Sequence, residues 1–63
     1  MSGTHYEEKT FWFTDEESGE EFFVEAENRR VATAIAREYF GDEVTFHGVV
    51  SEEWAEAQGW DTY

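Results

Sequence analysis

Carboxylates are the functional groups this chain supplies in quantity. It carries 16 Asp and Glu against four Lys and Arg in 63 residues, a net charge of −12. Within residues 10–27 the acids Asp15, Glu16, Glu17, Glu20, Glu21, Glu25 and Glu27 form a field with no basic residue inside it. Glu52, Glu53 and Glu56 form a second cluster. Paired carboxylates act as general acid and base only where a concave, partly dry pocket separates their pKa values. A domain of this size has little room for one, so acids on a solvated surface are the plainer expectation. His5 and His47 have no partner at ligand spacing, and Ser18 and Ser51 are accounted for by turn and cap roles. With no nucleophile–base or acid–base constellation, the sequence points to a non-enzymatic protein without cofactor or catalytic residues.

A calcium loop is excluded by position. An EF-hand wants alternating acids, a glycine at the sixth place and a glutamate at the twelfth. Counting from Asp15, glycine falls fifth and Ala26 falls twelfth. No metal site is expected.

The acids do have a usable spacing. Residues two apart on a strand stand about 6.6 Å apart, and duplex DNA advances about 3.4 Å per phosphate along each strand. Glu25 and Glu27 can therefore stand in for phosphates a step or two apart. Glu21 extends the row, Asp15 to Glu17 continue it, and the 52–56 cluster adds to it. A groove lined with Lys and Arg would meet such carboxylates as it meets a nucleic-acid backbone, releasing counterions. Solubility alone favours a charge magnitude of about 2–8 in a small domain, and the excess destabilises the compact state by self-repulsion. Nucleic acid and anionic membrane are thus poor partners, and a basic protein surface is a good one. Arg29, Arg30 and Arg37 crowd one predicted helix, which leaves the hairpin and the final helix the more negative parts.

The elements that must hold these residues can be read from pattern. Sixty-three residues make one domain, 1–63, with 1–5 as a loose lead-in. So short a chain buries only about 60% of its unfolded surface. With no cysteine, disulfides are excluded, and the 12 aromatic residues are the available substitute. No apolar run approaches the roughly 18 residues of a membrane span, and the start lacks the features of a secretory signal. A cytoplasmic location follows as the expectation.

Alternation over 6–14 predicts a strand with Phe11 and Phe13 on one face and Thr10, Trp12 and Thr14 on the other. Residues 15–19 form a turn in which Gly19 takes positive φ. A return strand over 20–27 turns Phe22, Val24 and Ala26 inward and Glu21, Phe23, Glu25 and Glu27 outward. Asn28 caps a helix over Arg29–Phe40, whose apolar face is Val31, Ala34, Ile35 and Tyr39, widened by Ala32, Ala36 and Phe40. Gly41 ends it as a left-handed cap. A third strand, Val44–Val50, puts Val44, Phe46, Gly48 and Val50 on one face and Thr45, His47 and Val49 on the other, with Gly48 marking a bulge. Ser51 caps a short helix over Glu52–Gln58, which Gly59 stops.

The predicted architecture is α+β: a ββαβα chain with a three-stranded antiparallel sheet in order 2-1-3, the main helix on one face and a short C-terminal helix. The second face carries Trp12, Phe23 and Val49, too apolar to stay wet, so Trp54, Trp60 or Tyr63 should cover it. Trp12 and Trp54 read first as core filling and second as anchors at an interface.

The stretch 10–27 followed by a capped helix resembles, in size, charge and layout, small acidic phage-encoded anti-CRISPR proteins that mimic duplex DNA. The resemblance implies a protein that blocks target-DNA binding by a CRISPR–Cas effector complex in the host cytoplasm, with a Cas subunit as partner. No diagnostic motif carries residue roles across. Two other readings stay open. One is an interaction module built on an aromatic patch. The other is an acidic halophile-type structural protein, which the ratio of thirteen Glu to three Asp tilts against. A monomer is expected, with a dimer through an open strand edge as the alternative.

Overall fold

The computed structural model describes residues 8–63. The elements are β1 (Lys9–Asp15), β2 (Glu20–Ala26), α1 (Arg29–Phe40), β3 (Val44–Val50) and α2 (Glu52–Gln58). The three strands form one antiparallel sheet in the order β2-β1-β3, the α+β arrangement that the residue pattern predicts. The lead-in and the first two expected strand residues, Tyr6 and Glu7, lie outside the described residues. Glu8 is described and stands before the strand, so β1 starts at Lys9.

The hairpin turn sets the register. Gly19 takes φ 77°, and its N–H donates to Asp15 O at 2.7 Å. Asp15, expected in the turn, is instead the last residue of β1, paired with Glu20 and Val44. Its carboxylate accepts from Glu17 N at 3.1 Å and Ser18 Oγ at 3.0 Å. An aspartate that bonds the backbone two residues on is a turn-forming device. From there Phe13 falls opposite Phe22, Phe11 opposite Val24 and Thr10 opposite Glu25. β2 ends at Ala26, one residue earlier than expected, which leaves Glu27 outside the ladder.

One face of the sheet packs on α1. Phe11, Phe13, Phe22, Val24 and Ala26 meet Ala32 and Ala36, with Ile35, Phe40, Val44 and Phe46 at the margin. The helix face differs from the expected one. Val31, Ala34 and Tyr39 are exposed, and the alanines Ala32 and Ala36 form the contact stripe. Small side chains there let the helix axis approach a sheet whose own surface is filled by phenylalanine rings. Phe40 then closes one end, stacked on Phe22 with centroids 4.0 Å apart. Asn28 Oδ1 accepts from Val31 N at 2.9 Å. Gly41 has φ 91° and ψ −169°, a positive-φ conformation open to glycine but outside the left-handed helical region expected of the cap.

β3 carries the bulge that Gly48 suggested, and it changes the faces. Trp12 pairs with Gly48 whereas Phe13 pairs with Phe46, so His47 is the extra residue. Side chains paired directly across an antiparallel ladder share a face. Val49, opposite Phe11, therefore joins Val44 and Phe46 on the α1 side, and Gly48 and Val50 join Thr45 and His47 on the other. The expected grouping holds up to the bulge and inverts beyond it, because one inserted residue shifts the two-residue period.

The second face is covered by α2 and the residues after it. Trp54 and Trp60 pack on Trp12 and on Phe23 at centroid distances of 5.1–6.0 Å, and Phe23 is 0% exposed. Tyr63 does not join them. Residues 61–63 run parallel to β2 along its outer edge through Phe23 N to Asp61 O, Tyr63 N to Phe23 O and Glu25 N to Tyr63 O, all at 2.8–2.9 Å. This strand addition carries the Tyr63 ring to the α1 side, where it meets Phe22, Tyr39 and Phe40.

Ala36→Leu tests the close helix approach. Three added carbons beneath α1 have no space to enter, and overpacking of this kind costs about 1–3 kcal/mol. Urea unfolding followed by tryptophan fluorescence should show a lower midpoint, whereas Ala34→Leu on the exposed side should leave it nearly unchanged.

Candidate acidic face

The sheet's second face carries five of the acids, Glu21 and Glu25 from β2 and Glu52, Glu53 and Glu56 from α2. Glu21 and Glu25 stand on that face of β2, paired with Thr14 and Thr10. Four residues of strand place them about 13 Å apart. Trp12 Nε1 donates to Glu21 Oε1 at 3.0 Å, which fixes one carboxylate against the indole. The same indole stacks on His47 at 4.5 Å, and His47 Nε2 is hydrogen-bonded to Thr14 Oγ1. His47 is thereby taken up by its neighbours within this polar–aromatic layer.

α2 exists because Ser51 caps it, its hydroxyl accepting from Trp54 N at 3.1 Å. Glu52 and Glu53 occupy its first turn, where the positive end of the helix dipole favours them. Ala55, the residue of α2 buried against the sheet, and Trp54 orient the helix so that Glu52 and Glu56 lie on one side. One turn apart, two like charges oppose helix formation by roughly 0.2–0.5 kcal/mol. Glu56 also stands in the last turn, which holds no basic residue, so the dipole opposes it too.

These side chains meet around a half-enclosed cavity of about 300 Å³ lined by Thr10, Glu25, Glu52, Glu56, Trp60 and Thr62 among others. Glu25 comes from the sheet and the other two acids from α2, so tertiary packing alone brings them together. Among the described residues no group of His, Cys, Asp or Glu is arranged to hold a metal ion.

The remaining predicted site residues divide. Glu16, Glu17 and Glu20 are exposed at the hairpin tip, extending the negative surface past the strand end. Glu53 is exposed on α2, and Glu27 is exposed beyond β2. Asp15 is 7% exposed, and its carboxylate is engaged with the turn rather than presented outward. Trp12 is half-buried, and Trp54 keeps 38% of its surface exposed at the edge of the aromatic layer. Thr62 was not expected here, and Thr10 and Trp60, expected on the second face of the sheet, were not expected beside these acids. Thr10 had a signal, since the turn length places it opposite Glu25. Trp60 had one as well, since the apolar second face needed a cover from the tail, whereas Thr62 had none, because its position depends on the chain's course after Gly59.

On the opposite side of the molecule, Arg29, Arg30 and Arg37 line a shallow open groove on α1 with Thr33 and Ala34. The Arg29 guanidinium also lies 4.5 Å from the centre of the Phe46 ring. The three arginines thus lie on the helix side of the sheet, which also bears exposed Glu38, and not on the side of Glu21, Glu25 and α2. No helix among the described residues is long and apolar enough to cross a membrane. No protein-family model, curated protein or solved structure matches the chain.

Glu56→Gln removes both the like-charge pair with Glu52 and the unfavourable dipole contact. Thermal unfolding should show a midpoint raised by a few degrees, corresponding to about 0.3–1 kcal/mol. Glu52→Gln, which forfeits a favourable dipole contact, should gain less.

Proposed function

We propose that this protein is a non-enzymatic inhibitor that acts as a DNA mimic, presenting its acidic face to a basic nucleic-acid-binding surface. Within that class, the target-DNA channel of a CRISPR–Cas effector complex is the surface we put forward. The observation that carries this reading is the grouping of Glu21, Glu25, Glu52, Glu53 and Glu56 on the side of the sheet opposite the arginines of α1. A protein that needed charge only for solubility would gain nothing from sorting it by face. Rigidity supports the same conclusion. The acids project from a strand locked between β1 and residues 61–63 and from a helix seated on a tryptophan–phenylalanine layer. Backbone positions held in place lose little conformational freedom on binding, Glu21 is fixed further by Trp12, and preorganisation of this kind favours affinity. Long-range attraction would speed the encounter.

Competition experiments test the proposal. With an immobilised Cas effector complex, the protein and a target duplex should exclude one another. Affinity should fall on the order of tenfold or more as salt rises from 50 to 200 mM. Joint charge reversal, Glu21→Lys with Glu25→Lys, should abolish competition while circular dichroism remains native. Binding that ignores salt, or that proceeds alongside bound duplex, would refute mimicry.

A further inference from the structure

We propose that His47 is a positioning residue of the acidic face: through the Trp12 indole it fixes the carboxylate of Glu21, which makes Glu21 the acid that a cation of the partner meets at a set place. This deepens the DNA-mimic reading and rests on it.

The contacts run from the bulge to the acid. Trp12 pairs with Gly48 and Phe13 with Phe46, so His47 is the residue inserted into β3. Bulges re-aim a side chain, and they recur beside functional sites for that reason. Gly48, directly opposite Trp12, brings no side chain, and the His47 ring lies against the indole instead, with centroids 4.5 Å apart. Trp54 and Trp60 stand farther from it, at 5.3 and 5.8 Å. His47 is itself tied to the central strand, since its Nε2 is hydrogen-bonded to Thr14 Oγ1. The indole then directs Nε1–H to Glu21 Oε1, 3.0 Å away.

Ladder spacing alone does not select Glu21. Trp12 is paired with Phe23, so Glu21 and Glu25 are both its diagonal neighbours, at about 7–8 Å and within reach of long side chains. The orientation of the indole makes the choice. Thr14, which anchors His47, is the residue paired with Glu21, so the imidazole and the chosen acid stand at the same end of the ring. A half-buried indole needs an acceptor for its N–H, and a carboxylate makes the stronger, charge-assisted bond. Oε1 is engaged there, and Oε2 is left to accept from a partner's Lys or Arg. An acid already ordered gives up little freedom when that cation arrives.

The experiment uses the whole chain, labelled with ¹⁵N and ¹³C. The Trp12 indole N–H should resonate downfield of its position in Glu21→Ala, and the two γ-protons of Glu21 should be resolved from one another. His47→Ala should collapse both signatures. His47→Phe, which keeps a ring against the indole without the Thr14 bond, should recover most of them. Against an immobilised Cas effector complex, His47→Ala should weaken competition with duplex about threefold or more, and should weaken it no further where Glu21 is already alanine. The salt dependence should keep its slope, because no acid is lost. Both signatures intact in His47→Ala, or an equal loss of competition with and without the Glu21 carboxylate, would overturn the proposal. Should the parent protein fail to compete with duplex at all, the mimic reading falls, and the two signatures still decide whether His47 positions Glu21.

Discussion

The contact between the Trp54–Trp60 pair and the Trp12–Phe23 surface of the sheet is the constraint on which the rest of the molecule depends. A three-stranded sheet with one helix needs only one covered face, but this chain places aromatic rings on both. The first face is closed by the alanine stripe of α1 over phenylalanines. The second must be closed by seven residues of helix and a few more of chain. Indole rings are large enough to do so, since each buries about 150–250 Å². Once they are seated, α2 has one orientation, and Glu52 and Glu56 face Glu25.

The same packing explains how the sheet is finished at its β2 edge. Trp60 on one side and Tyr63 on the other straddle β2, and the backbone between them adds a parallel strand to it. An unpaired strand edge invites association with another chain, and here the chain covers its own. At β3 the bulge at His47 breaks the regularity that edge pairing needs. Charge and architecture are therefore joined: the acids remain outward because the strand bearing two of them is fixed by ladders on both sides.

Charge placement works against stability on this face. Glu56 stands against the dipole of its own helix and against Glu52, and self-repulsion is spread through a molecule of net charge −12. The cost is tolerable because the phenylalanine core is tightly interlocked. Phe13 stacks on Phe22 at 5.7 Å and meets Phe46 at 5.6 Å.

Much of the fold was legible in residue order. Alternation in the strands, Asn28 and Ser51 as caps, Gly19 and Gly59 as turn and stop, and the chain order itself specify two helices and a 2-1-3 sheet, because each depends on neighbours within a few residues. The acidic excess and the location of the arginines on α1 were equally plain. Tertiary structure alone decided the rest. Which stripe of α1 touches the sheet turned on ring volume, favouring Ala32 and Ala36 over Val31 and Tyr39. The bulge at His47 inverted the faces of Gly48, Val49 and Val50. The turn drew Asp15 inward, and the path after Gly59 carried Trp60 to the acidic cavity and Tyr63 to the other side. These outcomes depend on atoms far apart in the chain competing for the same space, and periodicity along one strand or helix carries no record of that competition.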